Sequence, residues 1–396
     1  MNNTMWKLAN VIKDYDWGTK TALFELFNIA NTNNKPQAEI WMGVHPSGIS
    51  TAIDAQGKQI KLDQLIAKNP VQILGEKTNN AYHTLPYLFK VLSAQEPLSI
   101  QVHPELSKAK QGYEKENQLG IALDSPKRNY KDPNHKPELV YALTPYWAMN
   151  GFRPITEIVS LFTSLDIKTI KPEVNALTNN QTDDGLRTFF ADLLTLDSTR
   201  KKQALLEFKS KIESLNHLPF NIIKEIAKSF PDDIGLFSAL ILNVIELQPG
   251  EAMFLKAQTP HAYLKGTGLE IMASSDNVLR AGLTSKYIDI NELLDNTIFH
   301  SIAIEQLRTP PVIQNNKIDF PVPINDFAFE IINSNEQLQT EKTQSAEIIF
   351  CIEGEITLST VTECFTIKAG ESVFIAYCAG SFTYQGLGKL ARAFNK

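Results

Sequence analysis

The sequence predicts a mainly β protein in which two similar β-barrels pack together and a helical domain interrupts the first. Three observations lead there. Short apolar segments bounded by Pro, Gly, Asn or Ser fill both flanks of the chain. The middle switches to apolar residues spaced three and four apart. Two stretches in the flanks also repeat one another, with a long insertion inside the first copy.

The strand-like segments include Tyr87–Leu92, Leu98–His103 and Glu347–Ile352, all rich in β-branched, leucine or aromatic residues. From about Ile155 to Phe237 the texture is helical. Ile158, Leu161, Phe162 and Leu165 form one stripe. Leu205, Leu206, Phe208, Ile212 and Leu215 form another, with lysines opposite and Pro219 and Pro231 as punctuation. The repeat is carried by Leu247–Leu255 and Ile367–Ile375, which share a Gly-Glu pair and the apolar pattern after it. The copies lie 120 residues apart, and the offset persists to Gly266 and Gly386. One strand earlier, Glu138–Leu143 resembles Glu347–Ile352 at an offset of 209 residues. The first copy is therefore 89 residues longer between the two landmarks, close to the length of the helical stretch. The expected division is 1–150 for the N-terminal part of the barrels with the candidate site strands, and 151–237 for the helical insertion. The first barrel is completed by 238–300, and 301–396 forms a second, metal-free barrel.

A chain of 396 residues exceeds a single core. Its 43% hydrophobic and 21% charged residues fit a soluble globular protein. The net charge of -6, without a basic stripe, argues against nucleic-acid or membrane-surface partners. No signal peptide or bilayer-length apolar run is evident, so the expected location is the cytoplasm. The three cysteines, Cys351, Cys364 and Cys378, match no zinc cluster and are expected to be reduced thiols. A metal would have to use His, Glu or Gln.

Among the seven histidines, His103 and His261 sit in suggestive places. Gln101 and His103 are two apart in an apolar strand and so share a face, and Pro104 ends the strand. Glu138 shares a strand face with Val140 and Ala142, and His261 opens a strand after Thr259-Pro260. Two imidazoles, a carboxylate and an amide oxygen would suit Zn²⁺, Mn²⁺, Fe²⁺ or Co²⁺. Spacing alone equally admits four separately satisfied core groups. A divalent ion beside one carboxylate would keep a net positive charge, suited to an alkoxide or enediolate oxygen of a sugar. Lys136 falls two residues before Glu138 and could serve there as a base; otherwise it is a surface-turn lysine. Lys90, inside an apolar strand, must reach solvent or find an anion. Asp276 and Arg280 could pair as a loop ion bridge, and Thr284 and Lys286 could hold phosphate. Trp17 and Trp41 could stack on a sugar face, although such residues are more often core.

Longer motifs resolve some of these choices. Pro97-Leu-Ser-Ile-Gln-Val-His-Pro, Asn129-Tyr-Lys-Asp-Pro-Asn-His-Lys-Pro-Glu-Leu and Asp276-Asn-Val-Leu-Arg-Ala-Gly-Leu-Thr resemble those of the type I phosphomannose isomerases. So do Tyr15-Asp-Trp-Gly, Glu39-Ile-Trp-Met-Gly-Val-His-Pro-Ser-Gly and Thr259-Pro-His-Ala-Tyr-Leu, in the family's order. The resemblance implies cupin barrels of the jelly-roll type with a helical domain. It implies interconversion of mannose 6-phosphate and fructose 6-phosphate with one zinc per chain. By motif, the zinc ligands are Gln101, His103, Glu138 and His261, and Arg280 is the catalytic arginine. Lys136, His135 and Asp276 fall where proton transfer or ring opening is assigned. Lys90, Ser99, Lys286 and Trp17 are candidate substrate or phosphate contacts. The expected enzyme works as a monomer on a small sugar phosphate, through a cis-enediol. An iron-dependent cupin oxygenase and a non-catalytic sugar-phosphate sensor are the competing readings. One departure is local: Lys256-Ala-Gln-Thr precedes Pro260-His261, where many relatives carry an acidic residue.

Overall fold

The computed structural model describes residues 3–396. Met1 and Asn2, which head the segment read above as lacking a leader, lie outside the described residues. Two antiparallel sheet systems and a helical block make up the protein. A ten-stranded system holds the strands Glu39–Met42, Tyr87–Ala94, Ile100–Val102, Glu138–Ala142, Tyr146–Phe152 and His261–Ala273, among others. A twelve-stranded system holds Ala328–Ser334, Glu347–Ser359, Ser372–Ile375 and Gly388–Phe394. The chain's first strand, Met5–Ala9, joins this second system by pairing with Ser372–Ile375. The two ends of the chain are thereby tied into one sheet.

The repeat is reproduced strand for strand. In the first barrel Leu255 stands opposite Glu138 and Ala252 opposite Tyr141. In the second, Ile375 stands opposite Glu347 and Ser372 opposite Phe350. Both copies keep the turn before the strand. Gly250 and Gly370 take φ of 95° and 88°, values that favour glycine. Their N–H groups donate to Ala142 and Cys351 carbonyls, each at 2.9 Å. The following glutamates, Glu251 and Glu371, each accept a backbone N–H at the turn, from Gln248 (2.8 Å) and Lys368 (2.9 Å).

Strand alternation sorts the side chains of the first barrel. Phe89, Val91, Leu139, Tyr141, Leu269 and Ile271 face the second barrel and share a buried core with Phe329, Ile348, Phe350 and Ala391. Their neighbours Leu92, Val140 and Ala142 point inward. The buried charges Glu39, Lys90, Glu138 and Glu270 alternate with the outward set and so point inward too. On the opposite side, Ile100, Val102, Ala262 and Leu264 pack against the helical block. Those helices run from Ile155 to Ile241 and bury Phe162, Phe189, Phe190, Phe208 and Phe237. The first barrel is thus sheathed on both faces, which lets it hold a polar interior. Among the described residues no helix is long and apolar enough to cross a membrane.

Candidate metal centre and active site

Three ligand-type side chains converge inside the first barrel. His103 Nε2 lies 3.2 Å from Glu138 Oε1, and His261 Nε2 lies 3.6 Å from Glu138 Oε2. All three are buried, and their ligand atoms lie within 4.8 Å of one another. The chain brings them together simply. Glu138 and His261 are first residues of their strands, and His103 follows Val102 at a strand end. Gln101 stands opposite His261 in register and lines the same cavity as Glu138 and His261.

The imidazoles are oriented from behind. His103 Nδ1 meets the Asn277 carbonyl at 2.7 Å, and His261 Nδ1 meets the Thr259 carbonyl at 2.9 Å. A carbonyl can only accept, so both Nδ1 atoms carry hydrogen and both Nε2 lone pairs face Glu138. Burial, helped by Lys136, pushes His103 down to about 4, and burial lowers His261 as well. Both rings therefore stay neutral, as a metal ligand must. His103 Nε2 is buried without a hydrogen-bond partner. An orphaned buried acceptor is costly unless something occupies it. The donor set fits a divalent N/O-ligated ion, zinc included. The Lys256–Thr259 departure leaves this geometry alone, because a backbone carbonyl holds His261.

Around this cluster is a dense set of charges. Lys136 Nζ lies 3.1 Å from Glu138 Oε1, and Tyr263 donates its hydroxyl to Glu138 Oε2 at 3.0 Å. Burial works to raise the Glu138 carboxyl, but the ammonium of Lys136 beside it holds it well below the usual range. Lys90 finds anions rather than solvent: Glu270 Oε2 at 2.8 Å and Glu39 Oε1 at 3.7 Å. Burial opposes its charge, and the two carboxylates outweigh burial and raise it. The cavity has a volume of about 80 Å³ and is lined by Lys90, Ser99, Gln101, Lys136, Glu138 and His261, with Glu39, Glu270 and Tyr263. Gln101 Nε2 donates to Ser99 Oγ at 3.2 Å.

Other candidates fall elsewhere. Asp276 does not pair with Arg280; its Oδ2 lies 3.2 Å from His45 Nε2. His45 Nδ1 accepts the Ser47 N–H, and the ring packs edge-on against Trp41. Arg280 stands opposite Gln101 in register, half-buried, with no ion pair among the described residues. His135 turns out of the cavity to Asp326 of the second barrel, at 3.0 Å. Lys286 sits exposed in the loop after Gly282, and Trp17 stacks on Tyr15; neither lines the cavity. The sequence reading overlooked Tyr263, Glu270, Glu39 and Asn277. Tyr263 was detectable, since it lies two residues after His261 and therefore on the same face. Glu270 was not, because its relation to Lys90 rests on cross-strand register.

A buried two-imidazole, one-carboxylate cluster inside a jelly-roll barrel, in a cavity also lined by two lysines, defines a metal-dependent enzyme of the cupin type. The comparisons with known proteins make this specific. Residues 5–155 match the type I phosphomannose isomerase catalytic domain, residues 163–242 its helical insertion domain, and residues 316–395 the mannose-6-phosphate isomerase cupin domain. The mannose-6-phosphate isomerase of Escherichia coli K12 is 47% identical, covering 99% of this chain and 100% of its own. The human mannose-6-phosphate isomerase is 34% identical, covering 90% of this chain and 89% of its own. The crystal structure of the Salmonella typhimurium mannose 6-phosphate isomerase, bound to its substrate f6p and zinc, superposes with a TM-score of 0.95. That pair is 46% identical, and each chain is covered in full. The chain belongs to the type I phosphomannose isomerase family.

Proposed function

We propose that this chain is a zinc-dependent aldose–ketose isomerase that interconverts mannose 6-phosphate and fructose 6-phosphate. The observation that carries the metal dependence is the orphaned Nε2 of His103, buried beside Glu138 and His261. Gln101, His103, Glu138 and His261 would hold one zinc. When bound, zinc supplies positive charge that favours an anionic sugar oxygen.

The chain's own groups do the rest. In the proton-transfer route the C2 proton is removed and O1 gains a proton, giving a cis-enediol; O2 then loses its proton and C1 is protonated, so the carbonyl ends at C2. Lys136 Nζ, beside Glu138 at the cavity wall, is the group assigned to the C2 proton. Arg280 is assigned to the charge that develops on the sugar oxygens. Asp276, oriented by His45 at 3.2 Å, is assigned to opening the sugar ring. Lys90 and Ser99 line the cavity and are assigned to substrate contact. His135 has no place in this chemistry, because its ring faces Asp326. One chain supplies every assigned residue, which supports action as a monomer, and we place the enzyme in the cytoplasm.

The test is an isomerase assay on metal-stripped protein with each divalent ion restored in turn, run in H₂O and in D₂O. Zinc should restore turnover, and the product formed in D₂O should carry deuterium at the transferred position. Full activity without metal would refute the zinc dependence. Complete retention of the original hydrogen would favour a hydride shift over proton transfer.

A further inference from the structure

The loop that delivers Lys136 is pinned on its upstream side by its own barrel. Asn277 Oδ1 accepts the N–H groups of Lys131 (2.7 Å) and Asp132 (3.2 Å). Its Nδ2 donates to the carbonyls of Asp132 (2.7 Å) and Asn134 (2.8 Å). The same Asn277 orients His103 through its carbonyl, so loop and metal ligand share one brace. The next backbone anchor is the Pro137 carbonyl, which accepts from Ala273 N–H at 3.1 Å. Between these anchors lie His135 and Lys136. The His135 ring makes its hydrogen bond to the second barrel, Nε2–H donating to Asp326 Oδ1 at 3.0 Å, both side chains largely shielded.

Asp326 sits on firm ground. Its neighbour Phe327 is fully buried in the core shared by the two barrels, as is Phe320 across the same connection. The Asn325 carbonyl accepts the N–H of Lys396 at 3.3 Å. A short polar bridge therefore runs from the second barrel's core to the residue next to Lys136. We propose that Asp326 is a positioning residue: acting through His135, it sets where Lys136 stands at the active site. The second barrel then contributes to turnover without touching substrate. This rests on the reading of Lys136 as the proton-transfer group. Displacing a reacting group by about an ångström can cost up to about a hundredfold in rate. Loosening a neighbour by one hydrogen bond should cost less, on the order of tenfold.

The experiment uses the zinc-loaded full chain, assayed well below its melting temperature. Asp326→Ala should lower kcat about tenfold, change KM by less than about threefold, and leave zinc content intact. Asp326→Asn should recover most of the loss, because its amide oxygen can accept the same hydrogen bond. Lys136→Met should be close to inactive, and adding Asp326→Ala to it should cost nothing further. A wild-type kcat in zinc-loaded Asp326→Ala, or an Asn variant no better than Ala, overturns the inference. So does a full additional loss in the double variant. A lowered melting temperature with unchanged kcat would show Asp326 to be a docking contact only and would equally overturn it. Failure of the underlying reading looks different: Lys136→Met would then keep its turnover.

Discussion

The role proposed for Arg280 rests on the state of a single side chain. It is half-buried opposite the ligand strand, and burial pulls its pKa down, yet no carboxylate pairs with it among the described residues. A desolvated guanidinium without an anion is suited to meet one. Arg280→Ala should lower kcat by about a hundredfold or more, the usual cost of losing one such donor, while zinc content by elemental analysis stays at the wild-type level. Unchanged turnover in the folded, zinc-loaded variant would remove Arg280 from the catalytic set. The two metal-site imidazoles make a second case. Their folded pKa values are depressed, His103 to about 4 against an ordinary 6.5. The unfolded chain therefore binds more protons across that window, and stability of the metal-free protein must fall as pH drops from 6.5 towards 4. For His103 alone the loss is up to roughly 3 kcal/mol. Urea titrations of metal-free protein at pH 7 and pH 4.5 should show the midpoint drop, and a His103→Gln variant should show a smaller one. At this scale the sequence was legible wherever a period of two applied. Gln101 with His103, and Glu138 with Val140 and Ala142, were placed correctly on shared faces. The orientation of His135 was not legible, because its partner Asp326 lies 191 residues away in another barrel.

At the scale of elements, the repeat places two buried glutamates in equivalent registers and gives them different partners. Glu347 occupies the register position of Glu138, opposite Ile375 as Glu138 is opposite Leu255. In place of two imidazoles it meets Arg392, whose Nε and Nη2 reach its two oxygens at 2.7 Å each. Arg392 also holds Glu330 at 2.7 Å and Glu341 at 3.3 Å. The guanidinium supplies the positive charge that a cation supplies in the first barrel. Glu347 is wholly buried, so Arg392→Met would strand its carboxylate, and removing one partner of a buried pair typically costs about 3–5 kcal/mol. Denaturant unfolding should register that loss. Adding Glu347→Gln should return part of it, since the stranded charge is then gone. The repeat could be read from sequence because its turn demands glycine and glutamate at fixed places, which Gly250-Glu251 and Gly370-Glu371 both supply. The arginine could not, since nothing local distinguishes Arg392 from an exposed strand residue.

At the scale of the whole molecule, the two barrels and the helices divide the labour of building one wet, charged interior. The first barrel buries Glu39, Lys90, Glu138 and Glu270, a concentration of charge that would be costly without compensation. It is compensated by the Lys90 and Lys136 ion pairs, and its outward faces bury apolar surface against the helices and the second barrel. The strand Met5–Ala9, paired with Ser372–Ile375, also ties the start of the chain into the second barrel. Local patterns predicted a barrel, a helical insertion and another barrel. They could not predict this exchange, because strand pairing between distant segments carries no short-range signal.

The same division implies a single metal per chain. Among the described residues only His103, Glu138 and His261 converge as a ligand cluster. In the second barrel the position equivalent to His261 is Ser381, and no histidine follows His300. The remaining carboxylate, Glu347, is already taken by Arg392 in a two-point contact. A transition metal entering there would have to displace a guanidinium and would find no imidazole; Cys351 turns its Sγ to the Glu353 and Gly354 carbonyls, and Cys378, three residues before Ser381, is exposed. Elemental analysis of the purified protein should therefore find about one zinc per chain. His261→Ala should abolish its tight binding, because only one imidazole would remain beside Glu138. Glu347→Gln should leave the zinc count at one while weakening the fold. Two tightly held ions, or zinc retained in full after His261→Ala, would contradict a molecule in which one barrel performs the chemistry and the other holds it in place.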